Sequence, residues 1–320
     1  MPWIIGVDEA GYGPNLGPLV MTSVACRVPE GSDGIDLWEV LRTVVRKAGP
    51  DDGRIVVADS KQVYDPQRGI GGLELGVLAT LWREPLHPEA YLGAFLSATC
   101  ADSLEDLHGE AWHNGDGKLP VRVEAEVLTR SAVSFDAACG DAGLPRWELR
   151  GVIVPAPRFN RLTEEADSKG AVLAHALGRL LAMQRELLDD ADSLTYFIDK
   201  HGGRNRYAAL IQHALPDGVV LAEQEGSLRS TYRVMGLDRE VRLTFQPRAD
   251  DEHFCVALAS MAAKYLRERL MEEFNHFWLG HVPGLKPTAG YPNDSIRYME
   301  AIRPAARKLN IADEAIWRRR

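Results

Sequence analysis

The chain has 320 residues, 45% of them apolar and 26% charged, the proportions of a globular protein large enough for a full core and for more than one lobe. No uninterrupted apolar stretch approaches the ~18 residues that span a bilayer, and the acids at positions 8 and 9 break the early apolar run, so neither membrane insertion nor a secretory leader is expected and a cytoplasmic location is. A net charge of −9 argues against nucleic-acid binding through the overall field, while leaving room for a local basic groove and for acids that hold Mg²⁺.

Residues 3–8 and 17–28 predict the two strands of a hairpin, joined by the turn Gly11-Tyr12-Gly13-Pro14-Asn15. Alternation sends Asp8 and Glu9 to opposite faces of a regular strand, so for both to serve one site the strand is expected to end there. Gly11 and Gly13 supply the conformational freedom for that ending. A helix is expected at about 36–48, then a strand at 54–58 leading into Asp59-Ser60-Lys61; "GIGG" at 69–72 reads as a turn before a helix.

From 84 to about 146 the pattern weakens into short helical pieces and the polar loop "HGEAWHNGDGKLP", as expected of an insertion. The core resumes with the strand "LRGVIVPA" and a helix from about 169 to 188, whose Val172, Leu173, Leu177, Leu180, Leu181 and Met183 fall near helical spacing. A strand then ends at Asp199, and after a glycine turn a helix is expected to start near Arg204. The stretch 218–247 is β-rich, Asp250 or Asp251 is the expected N-cap of a long helix, and a last helix near 294–308 precedes the basic "WRRR". The four cysteines, Cys26, Cys100, Cys139 and Cys255, lie far apart with no C-x-x-C pair, which favours free thiols over disulfides or zinc.

On the long helix Ser260, Lys264 and Glu268 recur every four residues and share a stripe, flanked by Arg267 and Arg269. If that stripe packs across the strand ends, Asp8, Glu9, Asp199 and Glu268 converge. Such an oxygen-only set suits Mg²⁺ or Mn²⁺ rather than zinc, and two such ions about 4 Å apart would activate a water and stabilise the leaving oxygen of a phosphodiester. Taken singly, a strand-end Asp before glycine also serves as a turn residue, and a helical Glu beside Arg as a solvated ion-pair partner.

"GVDEAGYGPNLGPLV" resembles the first block of the type 2 ribonucleases H, the RNase HII and HIII group; "DSK" at 59–61, "FID" at 197–199, "ALASMAAKYLRER" and "GYP" at 290–292 resemble the later blocks, in family order. The resemblance implies an α/β fold with an RNase H-like mixed β-sheet flanked by helices. It implies a catalytic core over 1–250 with an insertion at about 84–146, and a C-terminal helical part over 251–320 that completes the active site and substrate groove. It also implies Mg²⁺- or Mn²⁺-dependent hydrolysis of the RNA strand of RNA/DNA hybrids, leaving 3′-hydroxyl and 5′-phosphate ends, by a protein expected to be monomeric.

Carried over to this chain, Asp8, Glu9 and Asp199 match metal-binding acids and Glu268 takes the fourth acidic position. Lys61 matches a basic residue near the nucleic-acid backbone, and Tyr291 a tyrosine that packs on a sugar. Gly11, Tyr12, Gly13 and Lys264 complete the expected substrate contacts, with Arg204, Arg206, Arg267 and Lys286 as further candidates for backbone and 2′-hydroxyl contacts in the minor groove. The chain departs from RNase HII in having Gly-Tyr-Gly for Gly-Arg-Gly, Glu268 for Asp, and Asn293 after "GYP". Two other readings stay open: a non-catalytic nucleic-acid-binding relative, and a phosphodiesterase acting on another nucleic acid.

Overall fold

Strands β1 (Trp3–Ala10) and β2 (Leu19–Arg27) are buried along almost their whole length, which is why they read as near-continuous apolar runs rather than as alternating ones. They form the expected hairpin, in register from Trp3 opposite Arg27 to Ala10 opposite Val20. The computed structural model describes residues 1–32, 34–49, 52–64, 67, 69–82, 90–187 and 193–319.

After β2 come helix α1 (Leu37–Val40), the short parallel pair β3 (Val45–Arg46) and β4 (Ile55–Val56), then α2 (Ser60–Val63) and α3 (Gly71–Leu81). The helix expected at 36–48 is thus a single turn: Asp36 caps it, accepting from the Trp38 amide at 2.9 Å, and β-branched Val45 leaves it to pair with Ile55. The inserted region holds β5 (Ala90–Tyr91) and β6 (Lys118–Leu119), which pair with each other, and α4 (Leu92–Thr99), α5 (Leu104–His108) and α6 (Ala125–Asp141). Its residues 84–89 lie outside the described residues.

Next come β7 (Trp147–Val154), α7 (Ala156–Ala166), α8 (Gly170–Leu187) and β8 (Ser193–Asp199); Leu188, the last residue expected in α8, lies outside the described residues. The helix expected near Arg204 begins later, as α9 (Ala208–Ala214). Then follow β9 (Val219–Glu225), β10 (Ser230–Met235), β11 (Glu240–Gln246), α10 (Ala249–Glu252), α11 (Phe254–His281), α12 (Pro292–Lys308) and α13 (Asp313–Ile316). Asp250 and Asp251 sit inside α10 rather than capping α11, whose N-cap residue is His253, with no side-chain capping bond.

Seven strands form one mixed sheet in the order β7-β2-β1-β8-β11-β10-β9, with β1 parallel to β8 and β8 parallel to β11. Helices cover both faces. On one, α8 brings Val172, Leu173, Leu177, Leu180 and Leu181 against Ile5, Val7, Leu194 and Tyr196. On the other lies α11, buried nearly all round its first four turns, as a core helix must be. It approaches β1 so closely that a Cβ on Gly6 would stand 2.1 Å from the backbone of Cys255 and Val256, and Thr22 Oγ1 donates to the Ala259 carbonyl at 2.7 Å. Among the described residues no helix is long and apolar enough to cross a membrane.

Candidate active site

β1, β8 and β11 lie side by side and run parallel, so their carboxyl ends open on one edge of the sheet, where open α/β sheets hold ligands. β8 pairs with β1 only as far as Val7 with Ile198, and Gln246 of β11 stands opposite Asp199. Asp8 and Glu9 therefore sit where β1 runs on past the end of its neighbour. The first strand does not end at the acids: Asp8 faces Thr22, Glu9 faces Met21, and pairing with β2 continues to Ala10. It is β8 that ends, which frees the space on that side of β1.

The Asp199 carboxylate acts on both Asp8 and Glu9. Burial first, then the charges of Glu9 and Asp199, push Asp8 well above the ordinary carboxylate range, although the Ser260 hydroxyl and the Glu9 amide, at 2.8 Å, hydrogen-bond it. Burial and then Asp199 push Glu9 up to about 7, with Lys61 opposing. Burial also raises Asp199, whose Oδ1 accepts from the Ala249 amide at 3.0 Å. Lys61 acts on Glu9, Asp199 and Asp250 alike, making it the cation common to this edge. It is held on α2, where Asp59 accepts from its amide at 3.0 Å and Ser60 Oγ lies 3.1 Å from Ser260 Oγ.

Glu268 lies elsewhere. α11 runs along β1 in the same direction, so the stripe of Ser260, Lys264 and Glu268 has its ends at different levels of the strand. Ser260 reaches Asp8; Glu268, eight residues on, is about 12 Å further along the helix. There Gly11 meets Arg267, a Cβ on Gly11 standing 2.3 Å from Arg267 Nε. Glu268 Oε1 is 2.6 Å from Lys264 Nζ and 3.7 Å from Arg267 Nη1.

The acid that does adjoin the group is Asp250, pushed up to about 6 by burial and then by Asp59, Asp199 and Asp251. In the sequence it reads only as a cap. The available signal was topological: β11 ends level with Asp199, so a residue four positions past Gln246 is delivered to the same edge.

The glycine turn lies at the far end of this edge. Gly11 adopts φ +90°, and Gly13 is exposed, its would-be Cβ 3.9 Å from the Tyr291 ring. Tyr291 is 45% exposed, and Gly290 before it accepts from the Asn15 amide at 2.8 Å, fixing the tyrosine beside the turn. The Tyr12 ring packs under Lys169, whose Nζ is 4.6 Å from its centroid, and Lys264 Nζ lies 4.6 Å from the Tyr64 centroid. Of the other basic candidates, Arg206 pairs with Glu225 at 3.7 Å, Arg204 donates to the Arg206 carbonyl, and Lys286 is exposed.

Among the described residues no three His, Cys, Asp or Glu side chains are gathered closely enough to form a ready-made metal-holding group. The chemistry of Asp8, Glu9 and Asp199 nonetheless fits a hard divalent cation. All three offer oxygen, each carboxyl is raised above its ordinary range, and Glu9 Oε2 is buried without a hydrogen-bond partner.

No protein-family model matches the chain, and no curated protein does. Among solved structures it is similar to an RNase HII from Archaeoglobus fulgidus in complex with PCNA, at 15% identity over 99% of this chain and 94% of that one, with a TM-score of 0.44. It is similar to a ribonuclease H2 from Pyrococcus horikoshii, at 17% identity over 98% and 92% of the two chains and a TM-score of 0.43. A Bst-RNase HIII in complex with Mn²⁺ matches at 15% identity over 99% of this chain and 66% of its own, with a TM-score of 0.44. These three solved structures are ribonucleases H of type 2, matched along nearly the whole of this chain at low identity.

Proposed function

We propose that the protein is a divalent-metal-dependent endonuclease that hydrolyses the RNA strand of RNA/DNA hybrids, leaving 3′-hydroxyl and 5′-phosphate ends. The observation that carries this reading is the group of Asp8, Glu9 and Asp199 at the carboxyl ends of two parallel strands, each carboxyl raised by burial and the first two also by neighbouring acids. Such a group is costly while empty and suited to a cation.

Asp8, Glu9 and Asp199 would hold Mg²⁺ or Mn²⁺, with Asp250 in the fourth place. When bound, the metal supplies an activated water and charge stabilisation at the leaving oxygen. The chain's own groups do the rest. Ser260 fixes the Asp8 carboxyl, Lys61 neutralises part of the acid field at the phosphate's approach, and Tyr291 offers an exposed ring to a sugar.

The test is cleavage of a labelled RNA/DNA hybrid, a DNA duplex with one embedded ribonucleotide, and plain DNA, in Mg²⁺ and in Mn²⁺, with Asp199→Asn as control. Cutting of the RNA strand, lost in Asp199→Asn, is the expected result. Binding without cutting at any divalent concentration would leave a nucleic-acid-binding protein in its place, and cutting of DNA alone a different phosphodiesterase.

A further inference from the structure

Two arginines lie almost wholly buried beneath the Gly11–Gly13 turn. Arg267, 1% exposed, donates to the Ala289 carbonyl at 2.9 Å. Arg318, also 1% exposed, donates to the Gly11 carbonyl at 2.8 Å. Arg318 reaches that place because its own amide bonds the Asn15 carbonyl at 2.8 Å and Trp317 bridges to Leu16, so residues 317–318 run alongside the turn. Its guanidinium stacks 4.8 Å from the centroid of Phe159.

Packing two cations together in a low-dielectric interior is unfavourable unless something offsets it. Burial and the Arg267 charge lower Arg318 to about 9, which still leaves it protonated at neutral pH. Arg267 has Glu268 at 3.7 Å, but that carboxylate is already taken by Lys264 at 2.6 Å, and among the described residues Arg318 has no acidic partner. Four guanidinium nitrogens of the pair, Arg267 Nε and Nη1 and Arg318 Nε and Nη2, are buried without a hydrogen-bond acceptor. The surface above them is open, with Gly13 exposed, Tyr291 half-exposed and Lys169 over Tyr12 at one side.

We infer that the Arg267–Arg318 pair makes the Gly11–Gly13 turn an anion seat, which takes a backbone phosphate of a nucleic acid, with Arg318 both supplying charge and pinning Gly11. This rests on the reading of the neighbouring acids as a nuclease centre. A guanidinium under a thin glycine turn acts on a phosphate through little material, and neutralising it costs the seat its charge without touching the acids.

The experiment uses the full chain carrying Asp199→Asn, so that substrate survives, and measures hybrid binding across a KCl series with Arg318 intact or changed to Gln, Met or Lys. Loss of the charge in Arg318→Gln and Arg318→Met is expected to weaken binding about tenfold and to flatten the log–log salt slope by about one; Arg318→Lys is expected to keep the slope. Inorganic phosphate is expected to raise the thermal midpoint of the parent protein and of Arg318→Lys, but not of Arg318→Gln.

Equal affinity and slope in Arg318→Met would overturn the inference, as would a Lys variant that loses the slope as Gln does. If the parent binds no duplex, the nuclease reading fails instead, and the phosphate titration still decides the seat. Should Arg318→Gln not fold, Arg318→Met carries the comparison with Arg318→Lys.

Discussion

Asp250 and Glu268 compete for one role, and substitution separates them. Asp250→Asn is expected to lower Mg²⁺-dependent cleavage by roughly 10²-fold or more, the scale on which groups that support a metal site act. Glu268→Gln is expected to change kcat by less than about tenfold, its effect falling on KM through Lys264 and Arg267 at the turn. Steady-state cleavage of the hybrid by both variants measures this, and the reverse order would return Glu268 to the acid group. Asp8, Glu9 and Asp199 were visible in the sequence because each interrupts an apolar strand just before a glycine turn. Asp250 was not, because helical periodicity shows which residues share a stripe but not how far along a neighbouring strand the stripe extends. Only the order β1-β8-β11 supplies that.

The seating of α11 on β1 sets the spacing between elements. Gly6 is needed for room: a Cβ there would stand 2.1 Å from the carbonyl carbon of Cys255, and both partners are backbone that no rotamer can clear. Gly6→Ala is expected to destabilise the protein by about 3 kcal/mol, at the upper end of ordinary overpacking. It should also disturb the level at which Ser260 meets Asp8. A urea titration checks the first, and an unchanged midpoint would mean that the helix is not seated as described. The hairpin, β8 and α8 are legible because a continuous apolar run, a period-2 alternation and a 3.6-residue repeat are strong signals. The segment 36–48 departs from the helix that its apolar spacing predicts because Val45–Arg46 are claimed by a partner strand ten residues away.

Across the whole molecule, the inserted region is stitched to the core by polar contacts that no local pattern foretold. Buried Glu74 on α3 accepts from the amides of Val121, Arg122 and Val123 at 2.9, 2.6 and 2.9 Å and from the Tyr265 hydroxyl at 3.0 Å. His113 Nδ1 lies 2.6 Å from Glu273, and Trp112 packs edge-on to Phe274. Beside it Glu110, buried and bonded by Trp112 Nε1 at 2.7 Å, is pushed up to about 7, chiefly by burial. Because its folded value lies above the unfolded one, its contribution to stability is fully present below about pH 4.3 and is lost as pH rises through 7. Glu110→Gln is therefore expected to match the parent near pH 5 more closely than at pH 8, where it should be the more stable by up to about 3 kcal/mol. Denaturant midpoints at both pH values measure it, and a gap that does not widen with pH would remove Glu110 from the balance.

The strap of residues 317–318 across the glycine turn also bears on how the protein is made. Arg318 bonds a residue 307 positions before it. At a synthesis rate of about 5–20 residues per second, on the order of 15 to 60 s separates the emergence of Gly11 from that of its anchor. Contacts of such sequence separation form last and slowly. A growing chain therefore carries its first two acids long before it carries the surroundings that turn them into a site.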